Sequence, residues 1–208
     1  MLKTELYVSE GDLDLRSREW TESIDRKRRW PKGDVKPALL VLDMQMFFLD
    51  PDSHAYLPSG RSIIRNLKEL IASFTGPIFF SKHVKGTDDN LMNIWWKDAI
   101  EGELSEIIPE LAPLASDVII KEHYSAFYGT KLEKTLRDKG VDSVVISGVM
   151  TDLCCESTTR DAFMRGFKVF FLADCTATAT EERHLSTLRT ISNAFGEVLT
   201  FRELMSRS

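Results

Sequence analysis

The chain has 208 residues, of which 43 % are hydrophobic and 28 % are charged, and its net charge is −5. These values are typical of one soluble globular domain with a substantial core, and they exclude the basic footprint of a nucleic-acid-binding protein. No apolar run is long enough to span a bilayer, and the N-terminal residues lack the pattern of a signal peptide.

Residues 1–36 are polar and weakly patterned, with Trp20 and Trp30 as isolated apolar anchors. We predict that they form an N-terminal arm or a short helix laid over a single domain at residues 37–208. The two tryptophans need a surface to cover, which favours a homo-oligomer. The sequence does not say whether that surface belongs to the same chain.

Six short and mostly apolar segments follow the arm, and each predicts a β-strand. They lie at residues 38–42, 77–80, 118–120, 144–146, 169–172 and 197–200. Short apolar runs of this kind are typical of parallel strands that are buried on both faces.

Helical patterns separate these strands, with apolar residues three and four positions apart. They cover residues 63–74, 131–139, 152–165 and 181–194, and Thr178 and Thr180 are candidate N-caps of the last helix. Alternating strands and helices predict a doubly wound α/β fold, with a six-stranded parallel sheet and helices on both faces.

Three reactive side chains follow predicted strands: Asp43 the first, Lys121 the third and Cys154 the fourth. In such sheets ligands bind beyond the carboxyl ends of the strands. A helix N-terminus at Cys154 would favour a thiolate, and a nearby carboxylate could take the thiol proton. Taken singly, Cys154 could equally be a buried hydrophobe, Asp43 a helix cap and Lys121 a solvated strand end. Their coincidence at one edge favours nucleophilic catalysis.

The chain has two further cysteines, Cys155 and Cys175, which we expect to lie in the core. The total of three is odd and lacks Cys-x-x-Cys spacing. This argues against a disulfide framework and a thiolate metal site, and it predicts a cytoplasmic protein.

Three sequence blocks resemble the isochorismatase-like cysteine hydrolases, over about residues 37–174. They are Leu42-Asp43-Met44-Gln45 with Phe48, Lys121 with residues 124–130, and residues 148–154 with 157–162. The resemblance implies a catalytic triad of Asp43, Lys121 and Cys154, without a cofactor. It also implies a cis peptide bond between Val149 and Met150, which would direct the N–H groups of Met150 and Cys154 at an oxyanion.

The resemblance implies hydrolysis of a C–N bond in a small amide, imide or ureido compound, through a thioester. Two alternatives stay open: vinyl-ether hydrolysis of isochorismate, which needs no cysteine, and a catalytically silent binding protein. The predicted substrate contacts are Gln45, Phe48, Trp95, Tyr124 and Phe127, although core packing is the usual role of paired aromatic residues such as Trp95 and Trp96.

Some amidases of the resembled family, acting on nicotinamide, bind a metal through an aspartate and two histidines. Here Asp50, Asp52 and His54 are close together and His83 follows the second strand. However, Ser81-Lys82-His83-Val84 replaces the expected Asp-Trp-His-Pro type of segment. We therefore predict solvated loop histidines and no metal, which also makes nicotinamide a less favoured substrate.

Overall fold

A computed structural model of the chain describes residues 3–31, 35–87, 89–96 and 100–207. Six parallel strands form one sheet in the order β3-β2-β1-β4-β5-β6. The strands are β1 (Pro37–Leu42), β2 (Ile78–His83), β3 (Val118–Lys121), β4 (Ser143–Val149), β5 (Lys168–Ala177) and β6 (Glu197–Leu199). The predicted doubly wound six-stranded parallel sheet is confirmed, and the strand order reverses direction between β1 and β4.

The α-helices of the described residues are α1 (Leu13–Glu22), α2 (Met46–Leu49), α3 (Ile64–Ser73), α4 (Leu91–Trp96), α5 (Leu132–Asp138), α6 (Glu156–Met164), α7 (Glu181–Ala194) and α8 (Phe201–Met205). The predicted helices are present as α3, α5, α6 and α7, and the described residues form further α-helices that were not predicted individually. Thr180 caps α7, since its side chain accepts a hydrogen bond from the Arg183 N–H. Thr178 is not a cap, because its hydroxyl donates to Asp152 instead.

The segment between β4 and α6 departs from the predicted continuous helix. Residues Thr151–Cys155 form a single π-helical turn, and α6 begins only at Glu156. The Leu153 and Cys155 N–H groups both donate to the Met150 carbonyl, at 3.2 and 3.1 Å. Single π-helical turns of this kind frequently occur at functional sites.

The core surrounds the two central strands. The side chains of β4 are all buried, and those of β1 are buried from Ala38 onward. The expectation that all six strands are buried on both faces is wrong for β3, where Val118 is 38 % and Ile120 54 % exposed. Val118 and Ile120 are two residues apart and therefore lie on the same face of the sheet, which is incompletely covered at this edge strand.

The N-terminal arm packs against its own chain. Trp20 is buried and its indole N–H donates to Glu181 Oε1 at 2.6 Å, while that of Trp30 donates to the Val169 carbonyl at 2.9 Å. The tryptophans therefore give no reason to invoke a second subunit, and the homo-oligomer stays a prediction. None of the helices in the described residues has the length and apolar character needed to cross a membrane.

Candidate active site

The close approach of β1 and β4 creates the site at the point where the strand order reverses. Leu42 at the end of β1 lies beside Gly148 of β4. Gly148 has a φ of +107°, and a Cβ there would lie 2.0 Å from the Leu42 carbonyl oxygen. Only glycine permits this contact. It sets the ends of the two strands side by side, and Asp43 and Cys154 follow them.

Lys121 joins Asp43 and Cys154 through its ammonium group. Its Nζ lies 2.7 Å from Asp43 Oδ2 and 3.4 Å from Cys154 Sγ. The same nitrogen donates a hydrogen bond to the His123 carbonyl at 2.9 Å. On the other side, the Ser81 hydroxyl donates to Asp43 Oδ1 at 2.6 Å. The structure thus brings the three predicted residues together in a site where each is buried.

Burial governs the charge of the cysteine. It raises the pKa of the Cys154 thiol, the Asp43 carboxylate raises it further, and Lys121 opposes both. Burial also acts to lower the pKa of Lys121, but the charges of Asp43 and Cys154 outweigh it, so this pKa is raised. Burial therefore opposes the thiolate that the helix N-terminus was expected to favour. The carboxylate expected to take the thiol proton, Asp43, lies in the same group of contacts through Lys121.

His83 is a member of the site that the sequence reasoning placed in a solvated loop. It ends β2 and is 7 % exposed, with its Nδ1 3.5 Å from Lys121 Nζ. Burial and the Lys121 charge lower the pKa of His83 to about 4, so the imidazole is neutral at physiological pH. The rule that found the other site residues, a reactive side chain at the end of a strand, would also have found His83.

Within the described residues, one cluster of candidate metal ligands lies in this site. Ligand atoms of Asp43, His83 and Cys154 lie within 4.8 Å of one another. The Lys121 ammonium is within 3.5 Å of an atom of each. Because this ammonium takes the position that a cation would need, the cluster does not fit a metal.

The other candidate ligands do not form a metal cluster either. Asp50, Asp52, His54 and His83 bring no three ligand atoms together among the described residues. Asp50 instead accepts a hydrogen bond from the Asp52 N–H at 2.9 Å, and the His54 ring meets the Phe47 ring edge-on at 5.2 Å.

A cavity of about 360 Å³ opens onto Cys154. Its walls are mainly apolar and aromatic, and they include Phe47, Phe48, Trp96, Ile100, Tyr124 and Leu153. Polar groups enter it from His54, His83, Lys85 and Asn93. A largely apolar cavity with a few polar groups at a reactive side chain is the usual form of a small-molecule site.

The predicted substrate contacts divide into two groups. Phe48 and Tyr124 line the cavity, whereas Trp95 and Phe127 do not. Trp95 is 77 % exposed, and its neighbour Trp96 lines the cavity instead, where its indole N–H donates to the Tyr124 hydroxyl at 2.7 Å. Phe127 is buried in the core, with its ring centroid 5.8 Å from that of Phe167.

Gln45 is buried behind the cavity and holds the backbone around it. Its amide nitrogen donates to the carbonyls of His83 and Ser105, both at 2.8 Å. Its carbonyl oxygen accepts from the His83 N–H at 2.8 Å. Gln45 therefore ties the backbone at His83 to the backbone at Ser105. Its buried amide is hydrogen-bonded at both ends, and contact with a substrate would break these hydrogen bonds.

The backbone at Cys154 bears on the predicted oxyanion donors. The peptide bond between Val149 and Met150 is cis. The N–H groups of Leu153 and Cys155 donate hydrogen bonds to the Met150 carbonyl. The N–H groups of Met150 and Cys154 therefore stay the predicted oxyanion donors.

Comparison with known proteins places this arrangement in a family. The family model of the isochorismatase domain matches residues 37–203. Nicotinamidase 3 of Arabidopsis thaliana is 35 % identical over 183 residues, covering 84 % of this chain and 89 % of that protein. Enterobactin synthase component B of Escherichia coli is 30 % identical over 185 residues, covering 85 % of this chain and 65 % of that protein.

Solved structures and a further relative agree with this. A cysteine hydrolase from Pseudomonas syringae has a TM-score of 0.78 and 30 % identity, with 86 % of this chain and 95 % of that chain covered. N-carbamoylsarcosine amidase from Thermoplasma acidophilum has a TM-score of 0.70 and 28 % identity, covering 80 % and 97 %. Maleamate amidohydrolase of Pseudomonas putida is 27 % identical over 184 residues, covering 83 % and 86 %.

Proposed function

This chain belongs to the isochorismatase family and is a hydrolase of non-peptide C–N bonds, and we propose that it acts through a thioester on Cys154. The observation that carries the proposal is the position of Lys121 Nζ, 2.7 Å from the Asp43 carboxylate and 3.4 Å from the Cys154 sulfur. A buried ammonium between a carboxylate and a thiol stabilises negative charge on either one. A proton can therefore pass between Cys154 and Asp43, and the negative charge stays next to the Lys121 ammonium in either case.

The proposed reaction has two halves. Asp43 takes the thiol proton, the sulfur of Cys154 bonds to the substrate carbonyl carbon, and the C–N bond breaks as Asp43 returns the proton to the leaving nitrogen. Water then gives a proton to Asp43 and its oxygen attacks the thioester. The C–S bond breaks, and the sulfur recovers the proton as the acid product leaves. The N–H groups of Met150 and Cys154 stabilise the oxyanion in both halves, each contributing about 3 kcal/mol.

The cavity favours particular substrates within the amide, imide and ureido class. Its aromatic wall of Phe48, Trp96 and Tyr124 offers stacking to a flat body, and its volume lies at the low end for small-molecule sites. We propose a small compound whose planar or apolar group stacks on this wall, with its carbonyl carbon presented to Cys154.

The experiment that tests this function follows acyl transfer to Cys154 directly. The purified chain is mixed with p-nitrophenyl acetate, and the acylated protein is measured by intact mass and peptide mapping. Ammonia release from nicotinamide, maleamate and N-carbamoylsarcosine is measured in parallel. We expect a stoichiometric adduct on Cys154, turnover of at least one amide, and loss of both in Cys154→Ala.

Cys175→Ala is the matched control, because Cys175 is an equally buried cysteine of β5 outside the cavity lining. It should retain the adduct and the turnover. Amide turnover that persists in Cys154→Ala would contradict the covalent mechanism.

Two other functions are distinguished by the same preparation. Release of pyruvate from isochorismate, retained in Cys154→Ala, would identify vinyl-ether hydrolysis. A Cys154 inert to both iodoacetamide and p-nitrophenyl acetate would identify a binding protein. The buried Asp43–Lys121 pair beside the thiol disfavours both, since neither function needs a cysteine there.

Cytoplasmic location and homo-oligomer formation are further parts of the proposal. All three cysteines are free and buried, as a reducing compartment permits. Sedimentation equilibrium of the full chain tests the oligomer.

A further inference from the structure

A segment outside the family domain contacts the groups that hold the cysteine. We use "the arm" for residues 3–31 of the N-terminal arm predicted at residues 1–36, and we call Thr151–Cys155 the nucleophile turn. The family match begins only at residue 37, so the arm lies before it. Yet α1 of the arm packs against β5, and two series of contacts run from the arm to the nucleophile turn.

The first series passes through a buried histidine. The rings of Trp20 and His184 meet edge to face, with centroids 4.6 Å apart. His184 lies on α7, is fully buried, and has its Nδ1 3.0 Å from the Thr151 hydroxyl. Thr151 is the first residue of the nucleophile turn, three positions before Cys154. The arm thus reaches the turn through a single intervening side chain.

The second series passes through the end of β5. The Thr178 N–H donates to the Tyr7 hydroxyl at 3.1 Å, and the Thr178 side chain donates to Asp152. Tyr7 also packs beside Trp20 and His184, with ring centroids 5.9 Å away in each case. Two consecutive residues of the turn are therefore held by groups that the arm touches.

His184 is suited to a positional role. It does not line the cavity, so it does not meet a substrate there. Burial lowers the pKa of His184 to about 3, against the effect of the Ala173 carbonyl, so the ring stays neutral. A neutral ring packed between an aromatic residue and a hydroxyl fixes the orientation of that hydroxyl.

We propose that the arm positions Cys154 through His184 and Thr151. Trp20, His184 and Thr151 are then positioning residues, and the proposal rests on Cys154 being the nucleophile. Sub-ångström placement matters here, because a displacement of about 1 Å costs on the order of 100-fold in rate.

The first test compares two truncations on the same helix. Trp20→Ala removes the ring that packs on His184, and Trp20→Phe keeps an aromatic ring there. Leu13→Ala is the control, since Leu13 is fully buried on α1 but lies about 10 Å away along the helix axis. The p-nitrophenolate burst with p-nitrophenyl acetate gives the number of competent sites and, separately, the acylation rate constant of each. Thermal unfolding gives the stability of each variant.

We expect Trp20→Ala to lower the acylation rate constant about tenfold or more, with Trp20→Phe recovering most of it. The acylation rate constant of Leu13→Ala should stay within about twofold of the parent's, even if Leu13→Ala and Trp20→Ala unfold at similar temperatures. A merely structural arm would reduce the burst amplitude and the unfolding temperature but leave the rate constant unchanged, and that result would overturn the proposal.

The second test starts from Thr151, and its single substitutions do not depend on the arm variant folding. Thr151→Val removes the hydroxyl at constant shape, and Thr151→Ser restores it. We expect the valine variant to slow acylation and the serine variant to recover it. Adding Trp20→Ala to Thr151→Val should slow acylation little further. If the two substitutions lowered the acylation rate constant by factors that multiply in the double variant, this would contradict the inference. A burst that survives in Cys154→Ala would instead refute the proposed function.

Discussion

Lys121 is the residue on which the site depends most. Its buried ammonium contacts the Asp43 carboxylate, the Cys154 sulfur and the His123 carbonyl, so its three donors are directed at three different acceptors. Burial alone would lower the pKa of Lys121, and only the adjacent acidic groups raise it. The charge of Lys121 and the acidity of Cys154 are therefore coupled.

Replacing Lys121 by methionine keeps most of the unbranched side chain and removes the ammonium group with its charge. We expect Lys121→Met to lower the acylation rate per competent site by about 10²–10³-fold, because the developing charge on sulfur loses its counter-ion. Lys82→Met is the control: Lys82 lies one strand away and pairs with Glu106 at 2.7 Å. Stopped-flow acylation measures both, and equal rates in the two variants would refute the role given to Lys121.

The sequence identified the site residues whose chemistry stands out at strand ends. Asp43, Lys121 and Cys154 follow strand signals, and the parallel sheet brings such ends together. His83 was missed because a lone histidine after a strand is commonly solvated. Which of Trp95 and Trp96 lines the cavity depends on the rotation of α4 about its axis. This six-residue helix has no buried side chain, so the sequence carries no apolar pattern that fixes the rotation.

Among the elements, hydrophobic patterns located the strands but not their ends. Ser81, Lys82 and His83 continue β2 because their backbones pair with β3, and backbone pairing leaves no apolar signal. The π-helical turn was also beyond prediction. It depends on tertiary partners, since Thr151 and Asp152 are held by His184 and Thr178 from distant parts of the chain.

The approach of β1 to β4 gives a prediction at the scale of these elements. Gly148→Ala would place a Cβ 2.0 Å from the Leu42 carbonyl oxygen, and neither strand can move without disturbing the sheet. We expect destabilisation above about 4 kcal/mol or failure to fold. Gly140→Ala is matched, because Gly140 also has a positive φ, +68°, but nothing lies within 4 Å. It should cost only about 1–2 kcal/mol. Urea unfolding measures both, and similar losses would contradict the steric argument.

At the scale of the whole molecule, we expect three buried groups with shifted pKa values to set how stability changes with pH near neutrality. Burial lowers the pKa of His83 to about 4, an effect that the Lys121 charge reinforces, and that of His184 to about 3. Burial raises the pKa of Asp174 to about 7, although its carboxylate accepts a hydrogen bond from the Phe201 N–H at 2.8 Å.

The signs of these shifts oppose one another. Between about pH 5 and 6.5 the unfolded chain binds protons at His83 and His184 that the folded chain does not, so stability is lost as the pH falls. In the same window the folded chain keeps a proton on Asp174 that the unfolded chain has released, so stability is lost as the pH rises. The two histidine protons of the unfolded chain outweigh the single Asp174 proton of the folded chain. The free energy of unfolding therefore rises with increasing pH in this window, by at most about 1.4 kcal/mol per pH unit.

Asp174→Asn removes the opposing contribution and keeps an oxygen for the Phe201 N–H. The gain of the variant over the parent should be smallest at pH 5, increase up to about pH 7 and then level off, because below about pH 7 the folded parent keeps a proton on Asp174 that its unfolded chain has released. Asp142→Asn is the control. Asp142 is partly exposed, and although burial acts against it, its hydrogen bonds and the charge of Lys168 lower its pKa. The effect of Asp142→Asn on the free energy of unfolding is therefore constant across this window.

Urea unfolding at pH 5, 6, 7 and 8 measures the three proteins. Parallel curves for Asp174→Asn and the parent would mean that Asp174 is ionised throughout, and a gain that grows with pH would mean that the folded chain holds its proton to neutrality.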